Sequence, residues 1–182
     1  MRKINVRELC FIAIFVALTA VGAQIRIPQY PAPPWTLQAW VISLAGIVLG
    51  AKNGTIAAVV YVLLGAVGAP VFAEFSGGLP VLFGRTGGFI LSFPLVALLA
   101  GIGEGKPGLK GAIWVTAGMI AGVLINWFAG MIQFSFVMGT TLAVAFGFTV
   151  LPFIVPGILR VILIPIFGRS IKFALKKGGV KL

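Results

Sequence analysis

The 182-residue chain contains no histidine and no aspartate, and its acidic side chains are limited to Glu8, Glu74 and Glu104. Without histidine or aspartate there is no triad of the Ser-His-Asp kind, and three scattered glutamates do not make a general acid–base pair. The same shortage excludes a metal centre built from the usual ligands. The single cysteine, Cys10, rules out an internal disulfide and a cysteine metal cluster. No glycine-rich phosphate loop of the Walker type occurs. If the protein moves a solute uphill, the energy must come from another polypeptide. The expectation is a non-enzyme with no cofactor and no metal.

Charge is scarce as well. Only 9% of residues are charged, where soluble domains carry about a quarter. Hydrophobic residues make up 60% of the chain and the mean hydropathy is +1.15. A soluble fold of this length has too little interior to hide that much apolar surface, so lipid must cover part of it. The net charge of +11 would suggest nucleic acid on a soluble protein. Here the basic residues flank apolar segments, which reads as topological charge bias and no nucleic-acid partner.

The apolar segments predict six membrane spans, at about 9–25, 35–50, 54–72, 87–103, 112–138 and 150–173, most of them close to the roughly 20 residues a bilayer requires. The first follows Arg2, Lys3 and Arg7 without a small-residue cleavage site, so it is read as a span and not a removed signal. Lysine and arginine counts set the orientation. Eleven of the fourteen lie on one side: Arg2, Lys3, Arg7, Lys52, Lys106, Lys110, Arg169, Lys172, Lys176, Lys177 and Lys181. Arg26 and Arg85 lie on the other, and Arg160 falls inside the sixth span. This places both termini in the cytoplasm. The expected fold is an all-α integral membrane protein, a single domain over 1–182 forming a six-helix bundle. The inner turns at 51–53 and 104–111 are short. The outer loop at 24–34 carries Pro28, Pro31, Pro33 and Pro34, which forbid a regular helix. The loop at 73–86 is glycine-rich, and the apolar segment at 139–149 is expected to lie over the outer mouth.

Polar residues inside hydrocarbon must find partners, so each is a functional candidate. Arg160 lies about ten residues from either end of its span, roughly 15 Å deep at 1.5 Å per residue. No glutamate is expected at that depth. Either a ligand's carboxylate or carbonyl meets the guanidinium, or helix-end carbonyls and water do. Asn126 is mid-span and its amide suits a urea or amide group, or else an interhelical hydrogen bond. Gln38 opens the second span and either caps it or faces a cavity, whereas Gln133 is read as structural. Arg85, with Thr86 and Gly87, precedes the fourth span. Glycines there expose N–H groups at a helix start, a plausible carboxylate site. The alternative is a loop pair between Arg85 and Glu74. Arg26 is read as an interface anchor. Trp35, Trp40, Trp127, Tyr30 and Tyr61 can stack on a ligand ring or belong to aromatic belts. Ala13 and Ala17, four apart, share one helix face and permit close helix approach, either within the bundle or against another membrane subunit.

Taken together, several blocks resemble the BioY family. They are Pro33-Pro34-Trp35-Thr36-Leu37-Gln38, Leu49-Gly50-Ala51-Lys52-Asn53-Gly54, the run from Tyr61 to Phe72, Gly77-Gly78, and Gly84-Arg85-Thr86-Gly87-Gly88-Phe89. Members of that family are biotin-specific S components of energy-coupling factor (ECF) transporters. The resemblance runs from the first span to the sixth. It implies a six-helix bundle of the ECF S-component type with an outward cavity closed by long outer loops. It further implies docking on a T component that carries two ATPase subunits, in the cell membrane of a prokaryote. Gln38 and Asn126 match substrate contacts of the family. Arg160 matches the basic residue of its Pro-Phe…Asp-x-x-Lys stretch, and Ala13 with Ala17 matches the small-residue motif that meets the T component. Three positions depart from the family pattern: Gly157 stands where an aspartate is usual, Arg85 where a proline is, and Phe89 where a tyrosine is. The expectation is biotin binding with the valerate carboxylate near Arg85 or Arg160. The alternatives are an S component for lipoate, dethiobiotin or a dicarboxylate, favoured by those departures, or a structural membrane protein without a ligand.

Overall fold

The computed structural model describes residues 6–106 and 108–179. Arg2, Lys3 and Lys181, which enter the charge count above, lie outside them. Among the described residues the regular structure is helical apart from one short ribbon, and four helices are long and apolar enough to cross a membrane.

Helix α1 spans Val6–Gln24. Its one central hydroxyl, Thr19, is satisfied by the Phe15 carbonyl at 2.7 Å. The prolines that follow cannot continue a helix. The chain instead forms an antiparallel ribbon of β1 (Arg26–Ile27) and β2 (Trp35–Thr36), with Arg26 opposite Thr36 and Ile27 opposite Trp35. This corrects the expected second span: Trp35 and Thr36 are ribbon, and helix starts at Gln38.

Helix α2 spans Gln38–Ala66 with a break at Gly50, whose φ of 79° and ψ of 169° a side chain would not tolerate. In a straight helix Gln38 and Tyr61 would lie about 34 Å apart. Their side chains are hydrogen-bonded, so α2 is a hairpin of two antiparallel arms, 38–49 and 51–66. The arms touch through glycine: a Cβ on Gly54 would stand 2.6 Å from the Cα of Gly46. The turn is therefore the single residue Gly50, with Ala51, Lys52 and Asn53 already helical. The second arm ends at Ala66 and not at Phe72.

After a one-turn 3-10 segment at Ala73–Phe75 come α3 (Leu79–Leu82), α4 (Gly87–Leu91) and α5 (Phe93–Gly101). The expected fourth span is thus split at Ser92. Pro94 has no N–H to offer the carbonyl one turn earlier, which ends α4 there. Helix α6 runs over Gly108–Met138. The segment expected as an outer loop folds into α7 (Leu142–Thr149), capped by the Thr141 hydroxyl, which accepts from the Val144 N–H. It packs against α6 and does not line the cavity described below. A 3-10 turn at Leu151–Phe153 leads into α8 (Ile154–Lys177), which ends on Lys176 and Lys177.

The α2 hairpin is the centre of the bundle, packed chiefly on α5 and α1. At one end Glu104 lies between Lys172, at 3.0 Å, and Arg169, at 3.8 Å. Lys172 also reaches the Ile47 carbonyl near the hairpin turn, at 3.4 Å. The ribbon, the Pro-rich loop and the segment at 67–86 gather at the other end.

Candidate ligand cavity

The cavity lies under the ribbon end, walled by β2 and the prolines before it, the first arm of α2, α4, the start of α5, α6, α8 and the segment at 72–86. Its free space is about 170 Å³. A single water needs only about 10–15 Å³ on that measure, so the space is of small-molecule size. Gln38, Trp35, Arg85, Thr86, Asn126, Gly157 and Arg160 all line it. The structure therefore brings together seven of the eight residues singled out from the sequence.

Gly87 is the exception. It is buried, but a Cβ there would stand within bond-like distance of the Leu82 carbonyl oxygen and 2.4 Å from Gln133 Nε2. Its role is to let α4 approach the preceding turn. Nor does α4 offer a helix-start anion site. It is five residues long, and the Gly87 N–H is already bonded to the Gly84 carbonyl at 3.2 Å. Gln133 is structural as expected: its Nε2 donates to the carbonyls of Leu82 and Gly84, at 2.6 and 2.8 Å.

Gln38 opens the first arm of α2. It donates through Nε2 to the Tyr61 hydroxyl at 2.5 Å and accepts from the Thr36 hydroxyl at 2.9 Å. Tyr61 donates in turn to the Val71 carbonyl at 2.8 Å. Tyr61 is a strut behind the cavity, fully buried and not a ligand-stacking ring. Asn126 donates both Nδ2 hydrogens, to the Phe89 carbonyl at 3.0 Å and to Ser92 Oγ at 2.8 Å. What its amide can still offer a ligand is the acceptor oxygen.

The two arginines differ. Arg85 is half-buried at the mouth, with Nη1 directed at the Pro31 carbonyl at 3.5 Å and its guanidinium carbon 5.6 Å from the centre of the Tyr30 ring. It does not pair with Glu74. That carboxylate is held by Arg26 at 2.6 Å, so Arg26 is a loop clasp and not an isolated interface anchor. Arg160, only 4% exposed, presents Nε and Nη2 with no hydrogen-bond partner among the described residues. These two N–H groups point the same way from a planar guanidinium, the fork that matches a carboxylate with two parallel bonds.

The ceiling is tied down. Gln24 donates to the Phe72 carbonyl at 3.0 Å and accepts from the Phe75 N–H at 3.1 Å. Between these bonds and the Arg26–Glu74 pair, Glu74 and Phe75 hold φ values of 63° and 52°, a conformation that costs a non-glycine residue about 1–3 kcal/mol. Aromatic side chains supply most of the apolar wall. Trp35 meets Trp40 edge-on at 6.2 Å, and Phe89 stacks on Phe153 at 5.8 Å. Phe72, Phe93 and Phe153 are wall residues that reading the chain missed. An apolar residue among so many carries no signal of its own. Gly157 has a local reason: a Cβ there would stand 2.4 Å from the Trp127 indole. The place of a longer side chain at 157 is taken by that ring.

Known proteins resemble this chain over most of its length. A family model described as the BioY family matches residues 1–177. A protein of Pyrococcus horikoshii named "Probable biotin transporter BioY" is 42% identical over 154 residues, covering 85% of this chain and 89% of its own. The "Biotin transporter BioY" of Thermotoga maritima is 38% identical over 167 residues, covering 91% and 96%. A crystal structure of the S-component for biotin from an ECF-type ABC transporter superposes with a TM-score of 0.80 at 27% identity, covering 92% of this chain and 91% of that one. With its cavity, its buried arginine and the family match over nearly its whole length, this membrane chain belongs to the BioY family.

Proposed function

We propose that the protein is the S component of an ECF-type importer, binding biotin from the outer side and releasing it to the cytoplasm with energy from a partner ATPase module. The observation that carries this reading is the placement of Arg160: a buried cation lining a ring-walled cavity, with two N–H donors that have no hydrogen-bond partner among the described residues. A cation kept in an apolar bundle at such cost calls for an anionic guest. The ligand's carboxylate pairs with Arg160. Its bicyclic ring lies among the aromatic walls, with the Asn126 oxygen available to a ureido N–H. Arg85 closes the mouth above it through the Pro31 carbonyl and Tyr30. The relatives' names favour biotin over lipoate, dethiobiotin or a dicarboxylate. The indole of Trp127 against Gly157 accounts for the missing side chain there without a change of ligand.

In the membrane the chain crosses six times, as α1, the two arms of α2, α4 with α5, α6, and α8. The end holding Lys52, Glu104, Arg169 and Lys172 faces the cytoplasm, as do both termini, in accord with the charge bias. Ala13 and Ala17 are both exposed on α1, so they are not used in packing within this bundle. They are the surface that meets the T component, which carries two ATPase subunits. Calorimetric titration of the purified protein with biotin tests the reading. The expected dissociation constant is below about 1 µM, near −8 kcal/mol. Absence of binding at that level, with lipoate or dethiobiotin binding instead, overturns the choice of ligand. No binding of any of them overturns the S-component reading.

A further inference from the structure

Trp127 stands between two spaces. It lines the cavity that holds Arg160 and also lines an apolar groove between α6 and α8. Ile120 and Leu124 wall that groove from α6, with Ile158 and Ile162 from α8. Those four side chains are each about half exposed, and the groove is continuous with the apolar flanks of both helices. Gly157 lines both spaces too. It is the point where α8 has no side chain and the indole fills in, the ring lying 2.4 Å from where a Cβ would be. Arg160 is three residues further along α8. Trp127 lies eleven residues from the Met138 end of α6, about 16 Å along the axis, which is the depth of acyl chains and not of headgroups.

We propose that Trp127 is the lateral seal of the ligand cavity, separating the guanidinium and its guest from a lipid acyl chain seated in the α6–α8 groove. An indole suits the task because it is broad, rigid and amphipathic. α8 packs more extensively on α2 than on α6, so without the ring little closes the α6–α8 side. Hydrocarbon would then enter beside Arg160, and the guest would have a path sideways into the bilayer. That part rests on the function proposed above. The contact between indole and lipid does not.

The test has two arms. In the first, Trp35, Trp40 and Trp114 are replaced by phenylalanine, leaving Trp127 as the sole reporter, and the protein is placed in phosphatidylcholine bilayers brominated at mid-chain or near the headgroup. Stronger quenching by mid-chain bromine is expected. Equal or absent quenching overturns the seal, and so does quenching only by bromine near the headgroup. In the second arm, biotin dissociation is measured in bilayers for Trp127→Ala and for Trp127→Phe, which keeps apolar bulk should the alanine variant fold poorly. Dissociation is expected to rise at least about tenfold for alanine and less for phenylalanine. Unchanged rates in both variants overturn the proposal. If the wild type itself does not hold biotin, the functional reading fails, and the quenching arm still decides the seal.

Discussion

Arg160 and Arg85 carry the same group to the same cavity, and their surroundings separate their roles. Arg85 already has a carbonyl and a ring to engage, whereas two donors of Arg160 have none among the described residues. Replacing Arg160 by methionine is expected to weaken biotin binding about 100-fold or more, near 2.7 kcal/mol, which falls within the roughly 1.5–3 kcal/mol of a hydrogen bond to a charged group. The ligand-free protein should melt no lower than wild type, because a buried cation costing about 2.5–3.5 kcal/mol is removed. Calorimetry and thermal unfolding in detergent check both halves; tight binding retained by the methionine variant would refute the pairing. Arg160, Asn126 and Gln38 were legible in the sequence because a polar group in an apolar run has to be explained. What Arg85 touches was not legible, since a loop arginine can meet a carboxylate, a carbonyl or a ring.

The α2 hairpin depends on close contact between its arms, and the small residues there are the reason it forms. Leucine at Gly54 should push against Gly46 backbone, where even a Cβ finds 2.6 Å. Overpacking of this kind costs about 1–3 kcal/mol, so the folded yield and melting temperature are expected to fall. The same substitution at the open, exposed position Lys52 should leave both unchanged. On α1, leucine at both Ala13 and Ala17 adds bulk to a face left exposed by the described residues. Co-purification with a T component and ATPase subunits should drop sharply while biotin affinity stays at the wild-type value. Loss of binding without loss of assembly would reverse the assignment. Helix positions were readable from apolar run length. The inner turn between the two arms of α2 was also readable, one residue from its place at Gly50. The break at Ser92, the ribbon at Trp35 and helix α7 were not, because each rests on a hydrogen-bond partner or a packing neighbour distant in the chain.

Across the whole molecule, charge is sorted by end. Glu104, Arg169 and Lys172 cluster at one end, while Arg26, Glu74 and Arg85 lie at the other with the Pro-rich loop. In a variant with Cys10 replaced by alanine, a cysteine at Tyr30, which is 90% exposed, should react with a membrane-impermeant maleimide on intact cells. A cysteine at Lys52 should react only after permeabilisation. The reverse pattern would invert the orientation. The amino-acid sequence by itself determined that this protein is apolar enough to be a membrane protein and where most of its long apolar helices lie, and it supplied the charge bias on which the proposed orientation rests. Those properties are sums over residues and need no knowledge of neighbours. Only the tertiary structure decided which polar groups Arg160 meets among the described residues, that Arg26 and not Arg85 holds Glu74, and that Trp127 occupies the space beside Gly157. Each of these is a meeting of side chains from distant segments, set by how the helices pack, and no local pattern of residues encodes it.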